Sequence, residues 1–440
     1  MWILSNVKDL YDGTSAEASA RHSSVDVVVD GERIHAVEPH RPDREVRAGD
    51  VVVDASELTV TPGLIDCHGH VTVLGLTGAD MDVMNAGTAL LYVEKILYTT
   101  LVDGGVTTMR DIGGATDAMK RMVDTGVMIG PRLKVAICML SSTGGHADFR
   151  GPDRCHGELS KLWPEAPGRP NSVVDGPWEC RTRVREIAAC GADVIKVCAS
   201  PGVASPSDKL EHRDFTPEEV AVMCDEANAR GLRVAAHAHS QSGIELAIEN
   251  GVHDIQHISY MDARLVEMAN DRGCTVTPTS WIMYELQSAE GLSDFVMEKV
   301  KKVAEVHANA VAHASTGELP ILMGTDPVLP GMHGRNYMEL KWLMHEGVST
   351  LGAWYGATGL AAREIGAEDT GTLVAGQRAD LLVSRGDVIA KPELMDAGAM
   401  LEVVKDGVGY RGGLAGIPQR DFDTTVRDVL PAGPRGPKAS

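Results

Sequence analysis

The sequence predicts an α/β fold: a (β/α)8 barrel of the TIM type over residues 61–368, with a small β-sandwich composed from both ends of the chain. Three observations predict it. Apolar β-rich runs alternate with helical patterns across the centre, the two ends share a texture of short alternating strands, and side chains able to bind metal recur at the ends of successive central runs. At 440 residues the chain is long enough for a barrel, which typically takes about 250 residues, plus an appendage.

The N-terminal part of the sandwich, residues 1–60, carries short apolar runs at 27–29, 34–37 and 51–53, separated by Asp30-Gly31 and by charged or proline-containing turns. The same texture returns in residues 369–423, at 380–383 and 401–404 and with Asp406-Gly407, so the two ends are expected to pair. Residues 424–440, with Pro431, Gly433, Pro434, Gly436 and Pro437, offer little to bury and read as a tail.

Within 61–368 the candidate strands are 60–65, 106–109, 133–137, 193–197, 233–236, 254–255, 275–277 and 320–323, the count for one barrel. Helical patterns separate most of them. In one, Thr216 caps, Pro217 suits the first turn, Glu219 completes a capping box and Gly231 ends the helix. A doubly wound sheet is the alternative, but no Gly-x-Gly-x-x-Gly turn follows any early strand.

Hydrophobic residues at 43% and charged ones at 23% match ordinary globular proteins and exclude collagen-like, low-complexity and wholly disordered chains. With 62 acidic against 41 basic residues the net charge is −21, which repels polyanions. Nucleic acid and membrane are therefore excluded as expected partners in favour of a small molecule, while the apolar helical faces of a barrel leave a homo-oligomer open. The 8 cysteines form no CxxC pair and read as reduced thiols. The apolar stretch at the start is too short for a signal peptide, and no apolar run reaches about 18 residues, so a cytoplasmic protein is expected.

The chemistry is carried by strand ends. His68 and His70 follow the first run, and residues i and i+2 of an extended segment point the same way. His237 and His239 end the fifth run, His257 ends the sixth and Asp326 closes the eighth. In a barrel these ends share one face. Lys196 lies inside the apolar fourth run, where an ammonium is expensive to bury and cannot ligate a cation, so it needs a chemical reason. Cys67 points away from the two imidazoles by alternation. Residue types and spacing alone give a metal-dependent hydrolase.

His68, His70, Lys196, His237, His257 and Asp326, in that order, resemble the metal set of the amidohydrolase superfamily. PGLID at 62–66, RDIGG at 110–114, GGH at 144–146, GADVIK at 191–196, HG at 333–334 and GTLVAGQRAD at 371–380 resemble its Xaa-Pro dipeptidase and ochratoxinase-like amidase branch, which is imidazolonepropionase-like. The resemblance implies a binuclear site bridged by Lys196 carbamylated by carbon dioxide, and hydrolysis of an amide in a dipeptide or N-acyl amino acid. It assigns His237 to metal and His239 to the substrate side as a catalytic group, although both face the same way.

In such a site a metal-bridging hydroxide attacks the carbonyl, and Asp326 serves as general base and then acid. The ligand mix suits two zinc ions, with Mn²⁺, Co²⁺ or Fe²⁺ also held. His146, His307, His333 and Arg335 join His239 as candidate substrate contacts, Arg335 as a carboxylate partner. Competing readings are a one-metal imidazolonepropionase-like cyclic amide hydrolase or deaminase, a urea or carbamate hydrolase, and a scaffold without metal. The long segment 146–176 reads as a lid or as a surface ornament.

Overall fold

From Leu64 onward the apolar runs become buried strands that alternate with helices. The computed structural model describes residues 1–73, 75, 86–148, 150, 168–203, 209–396 and 398–420. Leu64–Gly69, Val106–Asp111 and Arg132–Val135 form one parallel sheet. Met139–Leu140, Val194–Cys198, Arg233–Ala238, Asp254–His257 and Thr275–Thr277 form a second, also parallel throughout. Parallel sheets bury both faces, which explains why these runs are apolar without strict alternation.

Backbone bonds continue beyond these sheets. Asp193 donates to Val135 O at 2.8 Å, joining one sheet to the other. The expected strand at 320–323 is a segment with a single bridge, Ile321 to Val276, yet it is bonded on both sides. Leu322 N reaches Val276 O at 2.8 Å, Cys67 N reaches Met323 O at 2.9 Å, and Asp326 N reaches His68 O at 2.8 Å. The end of the eighth run is thereby tied directly to the first strand.

One expected strand is corrected. The run at 60–65 is two strands: Leu58–Pro62 pairs antiparallel with Leu381–Arg385, whereas Leu64–Gly69 pairs parallel with Val106–Asp111. Gly63 is the break. A Cβ there would lie 2.3 Å from Thr107 Oγ1, so the backbone passes where only glycine fits. Continuous apolar character hid the passage from one sheet to the next.

Leu58–Pro62 belongs to a six-stranded sheet that includes Asp9–Tyr11 from one end of the chain and Met400–Lys405 from the other. A four-stranded sheet, with Trp2–Val7 and Val25–Asp30 inside, shares its core through Leu4, Val27, Val60, Leu381 and Val404. Arg132 binds Asp380 and Asp406, linking this core to the third central strand.

Helix Pro217–Asn228 has the capping box read from its sequence, and Gly231 beyond it takes φ +69°. Most of the 146–176 segment and all of residues 424–440 lie outside the described residues. Among the described residues no helix is long and apolar enough to cross a membrane.

Candidate metal centre

Alternation along the first strand sorts its side chains. Ile65 and Cys67 pack outward against Leu322 and Leu360, while Asp66, His68 and His70 turn the other way. His68 Nε2 and His70 Nε2 lie 3.5 and 3.4 Å from Asp326 Oδ1. His237, His239 and His257 form a second group of three, and in each group the ligand atoms lie within 4.8 Å of one another. The groups adjoin, with the rings of His68 and His257 4.9 Å apart.

Hydrogen bonds fix which nitrogen each ring offers. His70 Nδ1 donates to Gly113 O at 2.9 Å, so Nε2 is the nitrogen that faces Asp326, and His237 Nε2 lies 3.3 Å from Pro201 O, leaving Nδ1. His257 Nδ1 and His239 Nδ1 each meet a hydroxyl at 2.8 Å, Thr279 Oγ1 and Ser259 Oγ. Burial holds His68, His237, His239 and His257 well below the usual imidazole range, so they are neutral and able to ligate. Burial pushes His70 down as well, but the Asp326 carboxylate prevails and raises it.

Lys196 is 1% exposed, and its Nζ donates to Gln256 Oε1. Gln256 Nε2 in turn donates to Asp254 Oδ2 at 3.2 Å, and Asp254 is held by Arg110 and by Thr277 Oγ1 at 2.9 Å. Burial brings Lys196 down to about 8. The lysine also lowers His68 on one side and His237 and His257 on the other, so it acts on both groups.

A buried carboxylate sets the register of the two ligand-bearing ends. Asp66 accepts His68 N at 3.0 Å, Thr325 N at 3.1 Å and Asn336 Nδ2 at 2.8 Å. Four non-glycine residues here have positive φ: His257 (+71°), Ile258 (+50°), Thr279 (+56°) and Asp326 (+46°). Such strain gathers where side chains must be aimed.

The remaining sequence candidates separate. His146 is brought in: its ring stacks on His237 at 4.0 Å, and burial lowers it to about 3. His307 touches Ser259 Oγ at 3.1 Å and Ser280 Oγ at 3.4 Å, and its hydrogen-bonded path to His239 runs through Ser259. His333 Nε2 bonds Val73 O at 2.7 Å. Arg335 is bound to both oxygens of Asp396, at 2.8 and 2.9 Å, with its side chain 40% exposed. Its expected carboxylate partner is thus one within the chain.

Asp66, Gln256, Ser259 and Thr279 were missed by sequence reasoning. Only Asp66, in step with His68 and His70, carried a signal that alternation could have found.

The donors fit divalent cations. Each group offers three ligands, all buried but the half-buried Asp326, and His68 Nδ1 is buried without a hydrogen-bond partner, a cost of about 1–3 kcal/mol that a different ring placement on an ion would offset.

The sequence pattern of the Amidohydrolase family matches residues 59–408. The chain is 30% identical over 371 residues to the ochratoxinase of Aspergillus niger, covering 80% of this chain and 75% of that protein. It is 27% identical over 342 residues to the imidazolonepropionase of Deinococcus radiodurans, covering 76% and 79%. A solved Xaa-Pro dipeptidase with methionine in its active site is similar with TM-score 0.82 at 26% identity, over 93% of this chain and 100% of that one. With this fold, these paired donor groups and these relatives, the chain belongs to the amidohydrolase family and is a hydrolase of C–N bonds.

Proposed function

We propose that this hydrolase cleaves the amide of a dipeptide or N-acyl amino acid at a two-metal site in the mouth of a closed eight-stranded barrel. The observation that carries the reading is Lys196, 1% exposed on the strand paired to the one that bears His237, with the neutral amide of Gln256 as its hydrogen-bond acceptor. His68, His70 and Asp326 would hold one ion, and His237 and His257 would hold the other. Lys196 would supply the anionic oxygens shared by the two groups once its neutral Nζ adds carbon dioxide, forming one N–C bond and releasing one proton. The bonds of the 320–326 segment to strands on both sides support the closed barrel.

Two divalent ions, zinc above others, when bound supply Lewis acidity and an activated water. Asp326 accepts the proton of the attacking water and returns it to the departing nitrogen. His239 and His146 orient the carbonyl from the side of the second group. Asp66 keeps His68 and Asp326 in register throughout.

The likeness to an ochratoxinase and to an Xaa-Pro dipeptidase with bound methionine supports an amino acid on one side of the scissile bond. The likeness to an imidazolonepropionase favours a second reading, opening of a cyclic amide. A panel of N-acyl amino acids, Xaa-Pro, Xaa-Phe and Xaa-Arg dipeptides and cyclic amides separates them. Linear amides cleaved, with activity lost in Asp326→Asn, is the expected result. Turnover of cyclic amides alone would transfer the assignment to the second reading.

A further inference from the structure

Behind His239 runs a line of polar groups that hydrolysis as described above does not use. His307 lies on the long helix Asp294–Thr316 and is 1% exposed. Its Nδ1 is 3.1 Å from Ser259 Oγ, which is 2.8 Å from His239 Nδ1. Its Nε2 is 3.4 Å from Ser280 Oγ, at the start of helix Ser280–Leu286. Residues on or just beyond four elements therefore meet in one row: His239, Ser259, His307, Ser280.

The hydrogens of this row are interdependent. Ser259 has one hydroxyl proton, so it donates to one imidazole and must accept from the other. With both rings neutral, only two fillings satisfy every contact. In one, His239 carries its proton on Nδ1 and offers the site an unprotonated Nε2; His307 then donates from Nε2 to Ser280. In the other every bond is reversed, and His239 turns a donor toward the site. Mixed fillings leave a buried bond unmade, at about 1–3 kcal/mol.

We infer that His307 is a positioning residue: through Ser259 it holds the His239 ring and couples that ring's tautomer to its own, with Ser280 anchoring the far end. This rests on the reading that His239 faces the substrate. A histidine so placed acts on the reaction through another residue, as outer partners of functional histidines do, and their loss costs about 10- to 100-fold.

The test uses the zinc-loaded enzyme with ¹⁵N-labelled histidine. His239 is assigned by its loss in His239→Asn, and its two nitrogens are read in the wild type, in Ser259→Ala and in His307→Phe. A His239 tautomer ratio that shifts in both variants supports the inference. A ratio unchanged by either variant overturns it. In kinetics, His307→Phe lowers kcat about 10- to 100-fold with KM and zinc content unchanged. His307→Asn, which keeps a polar atom near Nδ1, restores most of the rate, and His307→Gln does not. Equal rates in all three variants would overturn the inference. If His307→Phe does not fold, Ser259→Ala gives the same readings. A wild-type enzyme that cleaves no amide refutes the proposed function and leaves the nitrogen spectra to decide this point separately.

Discussion

Lys196 gives its hydrogen bond to the amide oxygen of Gln256, while the carboxylate two residues earlier, Asp254, is engaged by Arg110. A neutral amide steadies Nζ without fixing it as an ammonium ion. Gln256→Glu would set an anion against the lysine and favour the protonated form, which cannot add carbon dioxide. The variant is expected to lose the carbamate signal in ¹³C spectra recorded with labelled bicarbonate, and to bind metal about 10- to 100-fold more weakly.

Asp66 joins the first strand to the segment bearing Asp326 through Thr325, Asn336 and the backbone of His68. Asp66→Asn replaces acceptors by an amide that cannot meet all of these donors. Stability should fall by at least about 2 kcal/mol, measured by urea unfolding of the metal-free protein so that ligand binding does not enter.

Gly202 packs against His146 so closely that a Cβ would lie 2.2 Å from its ring. Gly202→Ala should push His146 off its stack on His237 and lower kcat about 10- to 100-fold with metal content unchanged. Full activity in this variant would remove His146 from the account of the carbonyl.

Glu346 gives a pH dependence away from the metal ligands. It is 5% exposed, and burial raises it to about 7, with the Ser280 and Tyr284 side chains opposing the rise. An acid raised in the folded state contributes most below its ordinary value, near 4.5, and that contribution is lost as pH climbs through about 7. Glu346→Gln is therefore expected to be more stable than the wild type at pH 8, with the difference shrinking toward pH 5. Urea unfolding across that range checks it, and a difference independent of pH would contradict it.

The histidines were legible because a strand's two-residue repeat and the common face of strand ends require few other facts. Asp66 shares that repeat. Gln256 and Ser259 flank His257 with no pattern of their own, and their importance arises from contacts with Lys196 and His307, 60 and 48 residues away. Arg335 shows the converse. Beside His333 it resembled a free carboxylate binder, but Asp396, 61 residues on, occupies its guanidinium. The break at Gly63 was hidden for another reason: both strands it separates are buried, so hydropathy does not change across it.

The central claim is a pair of ions bridged by Lys196, and metal content tests it most directly. Protein purified without chelator and in bicarbonate should hold two divalent ions per chain, and Lys196→Ala no more than one. One ion in the wild type, or two in Lys196→Ala, would contradict the account.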